Sequence, residues 1–200
     1  SLEAQVAAIA DDIAYNAHDI DDALRANLVT LHDFIGVPMA GPIVEEVLER
    51  YPGIAVKRQT HEVQRRMITR AVENVIATGS ENIAAAGVDS PEDVRLAGRT
   101  LVQFSSAVAD AEKALKSFLF ARVYRHEDVM VPVRESEAVV ERLFAAYMSD
   151  ADMPGRWGDA GRAVQGADRA RIVADFIAGM TDPYALDEHQ RLFDARPDFR

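Results

Sequence analysis

Apolar residues at the start of the chain recur at the spacing of an α-helix. On a helical projection they share one side, and they are Leu2, Val6, Ile9, Ile13, Ala17, Ile20, Leu24 and Leu31. The opposite side carries Asp11, Tyr15, His18 and Asp22. The pattern predicts a long amphipathic helix over residues 2–34, with a stripe that must be buried against other elements.

The polar side of this predicted helix is unusually acidic, with five aspartates between residues 11 and 22. One interpretation is a solvated acidic face. However, like charges on one helix repel and destabilise it unless a cation or a partner offsets them. The alternative interpretation is therefore a binding face, in which Tyr15 and His18 stand among the carboxylates.

The remainder of the chain also shows helical spacing, interrupted by Gly and Pro. Helices are predicted over residues 43–50, 55–77, 103–124, 135–148, 167–180 and 184–193. The β-branched run 129–133 contains Pro132 and is predicted as a connector, and the glycine-rich stretch 150–166 as a surface loop. Because no strand–helix alternation is present, the predicted class is all-α, as a multi-helix bundle.

Composition excludes several classes of function. The chain of 200 residues has a net charge of −11, which argues against a broad nucleic-acid surface. It has no cysteine, hence no disulfide framework and no thiolate site. No apolar run approaches the roughly 20 residues of a membrane span, and no signal peptide is evident. A cytoplasmic protein without membrane attachment is expected, and the P-loop, Rossmann and nucleophile-elbow signatures are missing.

Two polar patterns suggest a nucleotide ligand. His18-Asp19 offers imidazole and carboxylate to a divalent metal, although neighbours on a helix point about 100° apart and cannot complete a site alone. The densest basic run lies on the helix predicted over 55–77, at Lys57, Arg58, His61, Arg65, Arg66 and Arg70. Such a run either solubilises a helix or binds phosphate oxygens. A metal–nucleotide complex would satisfy both patterns.

Three separated stretches resemble one family. They are residues 2–7 with 10–22 (LEAQVA, ADDIAYNAHDIDD), 118–126 (FLFARVYRH) and 173–182 (VADFIAGMTD), the last followed by 188–193 (EHQRLF). In this order they resemble the C-terminal half of the deoxynucleoside triphosphate triphosphohydrolases, the dGTPase-like branch of the HD-domain superfamily. The resemblance implies the C-terminal part of an HD-domain phosphohydrolase fold.

The family's activity implies metal-assisted hydrolysis of a dNTP to deoxynucleoside and tripolyphosphate. The resemblance implies Mg²⁺ or Mn²⁺ as cofactor, with Asp11 as a metal ligand. Tyr15 and Asp19 are expected to meet the deoxyribose and the adjoining phosphate. A looser resemblance adds further substrate-binding candidates, namely Arg65, Arg66, Arg70, Lys116 and Tyr124.

The same resemblance implies partners and a division of the chain. A dNTP, with dGTP expected, is the substrate, and the protein is expected to form homo-oligomers. The family's metal-binding His and His-Asp pair lie upstream, so the chain is expected to be an inactive fragment lacking that HD-motif half. Within a single helical domain over 1–200, residues 1–80 are expected to contribute to the active site and 81–200 to form a C-terminal helical part.

Two other functions remain open. A helical regulatory or assembly module could use the acidic stripe to dock a basic partner without catalysis. An HD phosphohydrolase could instead act on another nucleotide, such as a monophosphate.

Overall fold

The structure, a computed structural model, describes residues 1–149, 151–195 and 197. This described part contains nine α-helices and no strand, which confirms the all-α prediction. The helices are α1 (Leu2–Arg25), α2 (Gly41–Arg50), α3 (Val56–Ala86), α4 (Pro91–Leu96), α5 (Ser106–Leu119), α6 (Glu127–Met148), α7 (Gly155–Arg162), α8 (Gly166–Ala178) and α9 (Asp182–Phe193). None of the described helices is both long and apolar enough to cross a membrane.

Two compact units divide the chain, Ser1–His126 and Glu127–Arg200. The expected subdivision near residue 80 does not coincide with a structural boundary, because residue 80 lies inside α3. Helices α1 to α5 belong to the first unit, and α6 to α9 to the second.

Helix α1 is shorter than its periodicity predicted. It ends at Arg25, and Asn27 then adopts a left-handed conformation with φ of 56°. An asparagine tolerates this conformation better than most residues, and it turns the chain out of the helical path. A separate 3-10 turn, Leu31–Phe34, follows, so the prediction of one helix to residue 34 is wrong.

Helix α3 is longer than predicted. It continues through Gly79, which is buried, and ends where Gly87 adopts φ of 60°. A Cβ at position 79 would lie 3.8 Å from the Cα of Val102, an ordinary van der Waals contact, so Gly79 lies against the 101–102 segment without being required there. The prediction that the helix ends at residue 77 is wrong, because α3 continues through this glycine.

The core of the first unit joins α1, α2, α3 and α5. Fully buried side chains at its centre include Ile20, Phe34, Val47, Met67 and Leu119. Burying each of these is worth roughly 1.5–3 kcal/mol relative to leaving it in water. This packing fixes the face that α1 turns away from the core.

The end of α5 departs from regular helix. The predicted helix 103–124 is instead α5 followed by a π-helical turn, Phe120–Tyr124. Helix α5 begins at Ser106. Just before it, the Ser105 backbone N–H donates a hydrogen bond to the side-chain Oδ1 of Asn74 on α3, at 3.0 Å. π-Turns are rare and frequently occur at functional sites.

The second unit contains two corrections to the predicted elements. Residues 129–133 are not a connector, because α6 runs through Pro132. The predicted loop 150–166 contains helix α7, although Asp150 lies outside the described residues. Pro132 is the sixth residue of α6, beyond the first turn, so its missing N–H removes one hydrogen bond from a helix that nevertheless continues to Met148.

A buried polar cluster anchors α9 to α6. The Tyr147 hydroxyl donates to Glu188, whose carboxylate also accepts two hydrogen bonds from Arg191, at 2.9 and 2.6 Å. The arginine holds the pKa of Glu188 below its usual range, and burial raises the pKa of Tyr147. The cluster is therefore an ionised carboxylate whose lone pairs are satisfied.

Candidate functional site

The outward face of α1 carries the predicted acidic stripe. Asp11, Tyr15, His18 and Asp22 are all exposed, while Ile13 and Ile20 on the opposite side are buried, as the periodicity predicted. Tyr15 is 61% exposed, unusual for an aromatic residue of this size. The helix thus presents a phenol and carboxylates together on an accessible surface.

Asp19 and Tyr124 meet in the first unit. The Tyr124 hydroxyl donates a hydrogen bond to Oδ2 of Asp19. Burial is the main cause that raises the pKa of Tyr124, and the negative charge of Asp19 and the nearby phenol of Tyr15 raise it further. Two predicted substrate-binding residues are therefore in contact, with a third close by.

The π-turn places Tyr124 in this position. Its ring packs edge-on against Phe120, with ring centroids 6.4 Å apart, and Phe120 is half exposed. The guanidinium of Arg125 lies over the Phe120 ring, 5.0 Å from its centroid. The half-exposed Phe120, with a cation over its ring, therefore packs against the tyrosine that donates to Asp19.

Lys116 joins α5 to α1. Its ammonium lies 2.5 Å from the carboxylate of Glu112 and 3.3 Å from that of Asp12. The hydrogen bond that the ammonium donates to Glu112 is the main cause that raises the pKa of Lys116. The amide of the buried Asn16 also donates to Glu112, at 3.1 Å. Lys116 is therefore placed beside the acidic face and remains charged.

The three predicted phosphate-binding arginines lie on α3, where each has a carboxylate partner. Arg65 pairs with Glu62 at 2.9 Å, while Arg66 and Arg70 both pair with Glu46 of α2. Among the described residues, no hydrogen bond or ion pair joins these arginines to the α1 face. The structure brings Asp19, Tyr124, Tyr15 and Lys116 to one region, and it does not bring the arginines into contact with them.

A complete metal site is not formed by the described residues. No three of their His, Cys, Asp or Glu side chains converge so as to hold a metal ion. Asp11 has an exposed carboxylate that offers one ligand, and catalytic metals ordinarily take at least three from the protein or its substrate. The residues present therefore do not fit a metal by themselves.

Sequence reasoning missed two supporting residues. Glu112 holds both Lys116 and Asn16, and its i,i+4 spacing to Lys116 was a visible signal. Asn16 is 3% exposed on the inner side of the acidic helix, where a polar residue requires a partner. A buried asparagine in an apolar stripe was a signal of a cross-helix hydrogen bond.

Comparison with known proteins finds similar sequences along nearly the whole chain. Residues 102–191 match the phosphohydrolase-associated domain. Over 98% of its length the chain is 50% identical to "Deoxyguanosinetriphosphate triphosphohydrolase-like protein 1" of Mesorhizobium japonicum, of which it covers 49%. It is 46% identical to a protein of similar name from Bradyrhizobium diazoefficiens, over 100% of this chain and 50% of that protein. It is 49% identical to another from Brucella ovis, over 99% of this chain and 50% of that protein.

The chain spans about half the length of the curated relatives that it matches. Identity of this level along nearly the whole chain, together with the phosphohydrolase-associated domain, establishes common descent. The chain belongs to the dGTPase-like triphosphohydrolase family and corresponds to the C-terminal half of its members.

Proposed function

We propose that this chain is the C-terminal part of a dNTP triphosphohydrolase that acts on dGTP. In the reaction, water adds to the α-phosphorus, the bond from that phosphorus to the 5′-oxygen breaks, and the 5′-oxygen takes up a proton that the water loses. Release of deoxynucleoside and tripolyphosphate means that the ester bond to the 5′-oxygen is the one cleaved, with the water oxygen retained on the tripolyphosphate. The pairing of Asp19 with Tyr124 beside Tyr15 carries the proposal.

This pair is suited to recognising a sugar hydroxyl. A carboxylate accepts at two oxygens, and Tyr124 donates to only one of those of Asp19. The other oxygen is available to a donor such as the deoxyribose 3′-hydroxyl, with the carboxylate held in place by Tyr124. Because a buried acceptor left without its donor is costly, such a site discriminates strongly between ligands.

We also propose that arginines of α3 contact the phosphates of the substrate, and that their exposure decides which of them can do so. Side chains of Arg65 and Arg70 are 61% and 50% exposed and can reach an anion while keeping some of their present bonds. Arg66 is only 14% exposed and is committed to Glu46, so we assign it to positioning α2 against α3. Lys116 carries a fixed positive charge near the α1 face.

A divalent metal, Mg²⁺ or Mn²⁺, is part of the proposal, with Asp11 supplying one ligand from this chain. Its remaining ligands must come from outside the described residues, because these form no metal cluster. Self-association of the protein is likewise proposed, and sedimentation of the complete gene product tests it.

Product identification tests the function. The complete gene product is incubated with dGTP and Mg²⁺ or Mn²⁺, and the expected products are deoxyguanosine and tripolyphosphate in equal amounts. Formation of dGMP and pyrophosphate, or hydrolysis of dGMP alone, would favour a phosphohydrolase of another nucleotide specificity.

A thermal-shift measurement separates the enzyme from a non-catalytic assembly module. A ligand at 100 times its Kd stabilises a folded protein by about 2.7 kcal/mol. Metal with dGTP should therefore raise the Tm of the complete gene product. An unchanged Tm, with association to a basic protein that Asp11→Asn weakens, would favour the assembly module.

A further inference from the structure

An apolar groove runs between α1 and α3, next to the acidic face. Its volume is about 480 Å³. The described lining residues include no charged side chain, and Ser80 is the one hydroxyl among them. The nine residues of α1 from Val6 to Ala14 span ~12 Å, and the sixteen of α3 from Ile68 to Ile83 span ~22 Å. These dimensions match the side of a helix of about four turns.

Large side chains in this groove are poorly covered. Val6 is 50% exposed, Val72 39% and Ile76 63%. They form a contiguous surface with the groove floor, and such surfaces on folded domains mark interaction sites. A single exposed apolar residue would need no explanation, but three lining the same groove do.

The position of the groove connects it with the incomplete metal site. Ala14 lines the groove and lies three residues after Asp11, so the two are neighbours on the surface of α1. The exposed Asp11 carboxylate therefore flanks one edge of the groove, next to any segment seated in it. The described residues supply no further ligands there, so any others must be brought by a segment that docks nearby.

We propose that the α1–α3 groove is the docking site for an apolar helix face from the part of the polypeptide by which the relatives exceed this chain. This inference rests on the proposed function, because the docked segment is placed beside Asp11, where further metal ligands are required. Relatives are about twice as long as the stretch they share with this chain, which leaves a similar length of polypeptide to supply the helix.

A second copy of the chain is a poorer occupant. Filling a concave groove requires a convex apolar ridge. Elsewhere in the first unit the exposed large apolar side chains are on separate elements, such as Val56 at the start of α3, Leu96 on α4 and Phe120 in the π-turn. Among the described residues of that unit they form no stripe at helical spacing. In the second unit Val133 and Val140 lie seven residues apart on one face of α6, but two valines span only ~10 Å, about half the length of the groove along α3.

Thiol labelling of the complete gene product tests the docking. This 200-residue sequence has no cysteine, so a cysteine introduced here is identified by mapping the labelled peptide. Ile76→Cys probes the groove, and Leu96→Cys, 75% exposed on α4, is the matched control. The expected result is labelling of position 76 at least tenfold slower than position 96 in the native protein, with equal rates in denaturant.

Equal labelling rates at the two positions in the native protein would overturn the docking proposal. Slow labelling of position 76 that becomes fast on dilution would also overturn it, because it would indicate that a second copy covers the groove. If Ile76→Cys fails to fold, Val72→Cys gives the same comparison. The proposed function is judged separately: slow labelling without tripolyphosphate release would support docking and overturn the function. Tripolyphosphate release together with rapid labelling of position 76 would support the proposed function and overturn the docking.

Discussion

The Tyr124 hydroxyl donates a hydrogen bond to the Asp19 carboxylate across 105 positions of sequence. This bond joins the π-turn at the end of α5 to the middle of α1. It makes the orientation of the candidate sugar-binding carboxylate depend on an irregular helical turn.

Removing the phenolic hydroxyl should destabilise the first unit modestly. Tyr124→Phe keeps the ring and its contact with Phe120 but leaves an oxygen of the half-buried Asp19 without its donor. We expect a loss of about 1–3 kcal/mol in the free energy of unfolding, as for hydrogen bonds to charged groups. Urea denaturation checks this. An unchanged stability would mean that the bond does not persist in solution.

Alkaline pH should weaken the fold through two tyrosines. The folded-state pKa values of Tyr124 and Tyr147 both lie above the ordinary value of 10.0, mainly through burial. The unfolded chain therefore loses these protons first as the pH rises, so it binds fewer protons than the native protein, and stability falls above about pH 10. Their contribution is fully present below that pH.

Phenolate absorbance of the native protein measures this directly. Of the five tyrosines, two should ionise only at higher pH than in the unfolded chain. The Tyr124→Phe variant should lack one of these late ionisations. A native titration curve that coincides with the unfolded one would contradict the burial of both phenols.

Glu46 should matter for stability because it is shared by two arginines. Glu46→Gln leaves Arg66, whose side chain is 14% exposed, without a charged partner on α2. We expect a loss of about 1–3 kcal/mol. Glu92→Gln is the matched control, since Glu92 pairs with Arg95 on an exposed surface and its loss should be within about 0.5 kcal/mol. Similar losses in both variants would contradict the account.

Pro132 offers a stabilising substitution. Proline lacks the backbone N–H that a helix interior uses, at a cost of up to ~3 kcal/mol. Because α6 is helical on both sides of this position, Pro132→Ala should stabilise the second unit by about 1–3 kcal/mol in denaturant unfolding. Destabilisation would indicate that residues 129–133 are not helical, as the sequence pattern had first suggested.

Helical periodicity predicted the class of fold and the two faces of α1, because burial depends on a repeat that can be read along the chain. It failed where tertiary contacts decide. The helix predicted over 55–77 continues to Ala86, because the packing of α3 outweighs the low helix propensity of the glycine at position 79. The contact between Asp19 and Tyr124 could not be derived from spacing, because it depends on how α1 and the π-turn pack. The family resemblance named both residues, and the structure shows that they touch.

Tripolyphosphate release by an Asp11 variant tests the central proposal most directly. With dGTP and Mg²⁺ or Mn²⁺, Asp11→Ala in the complete gene product should lose roughly 100-fold or more of kcat/KM, because loss of a ligand's outer-shell partner alone costs about 10–100-fold and loss of the ligand should cost more. Asp110→Ala, an exposed carboxylate on α5, is the control and should keep normal activity. If Asp11→Ala releases tripolyphosphate at the same rate as the unaltered protein, the assignment of Asp11 to the metal site is wrong.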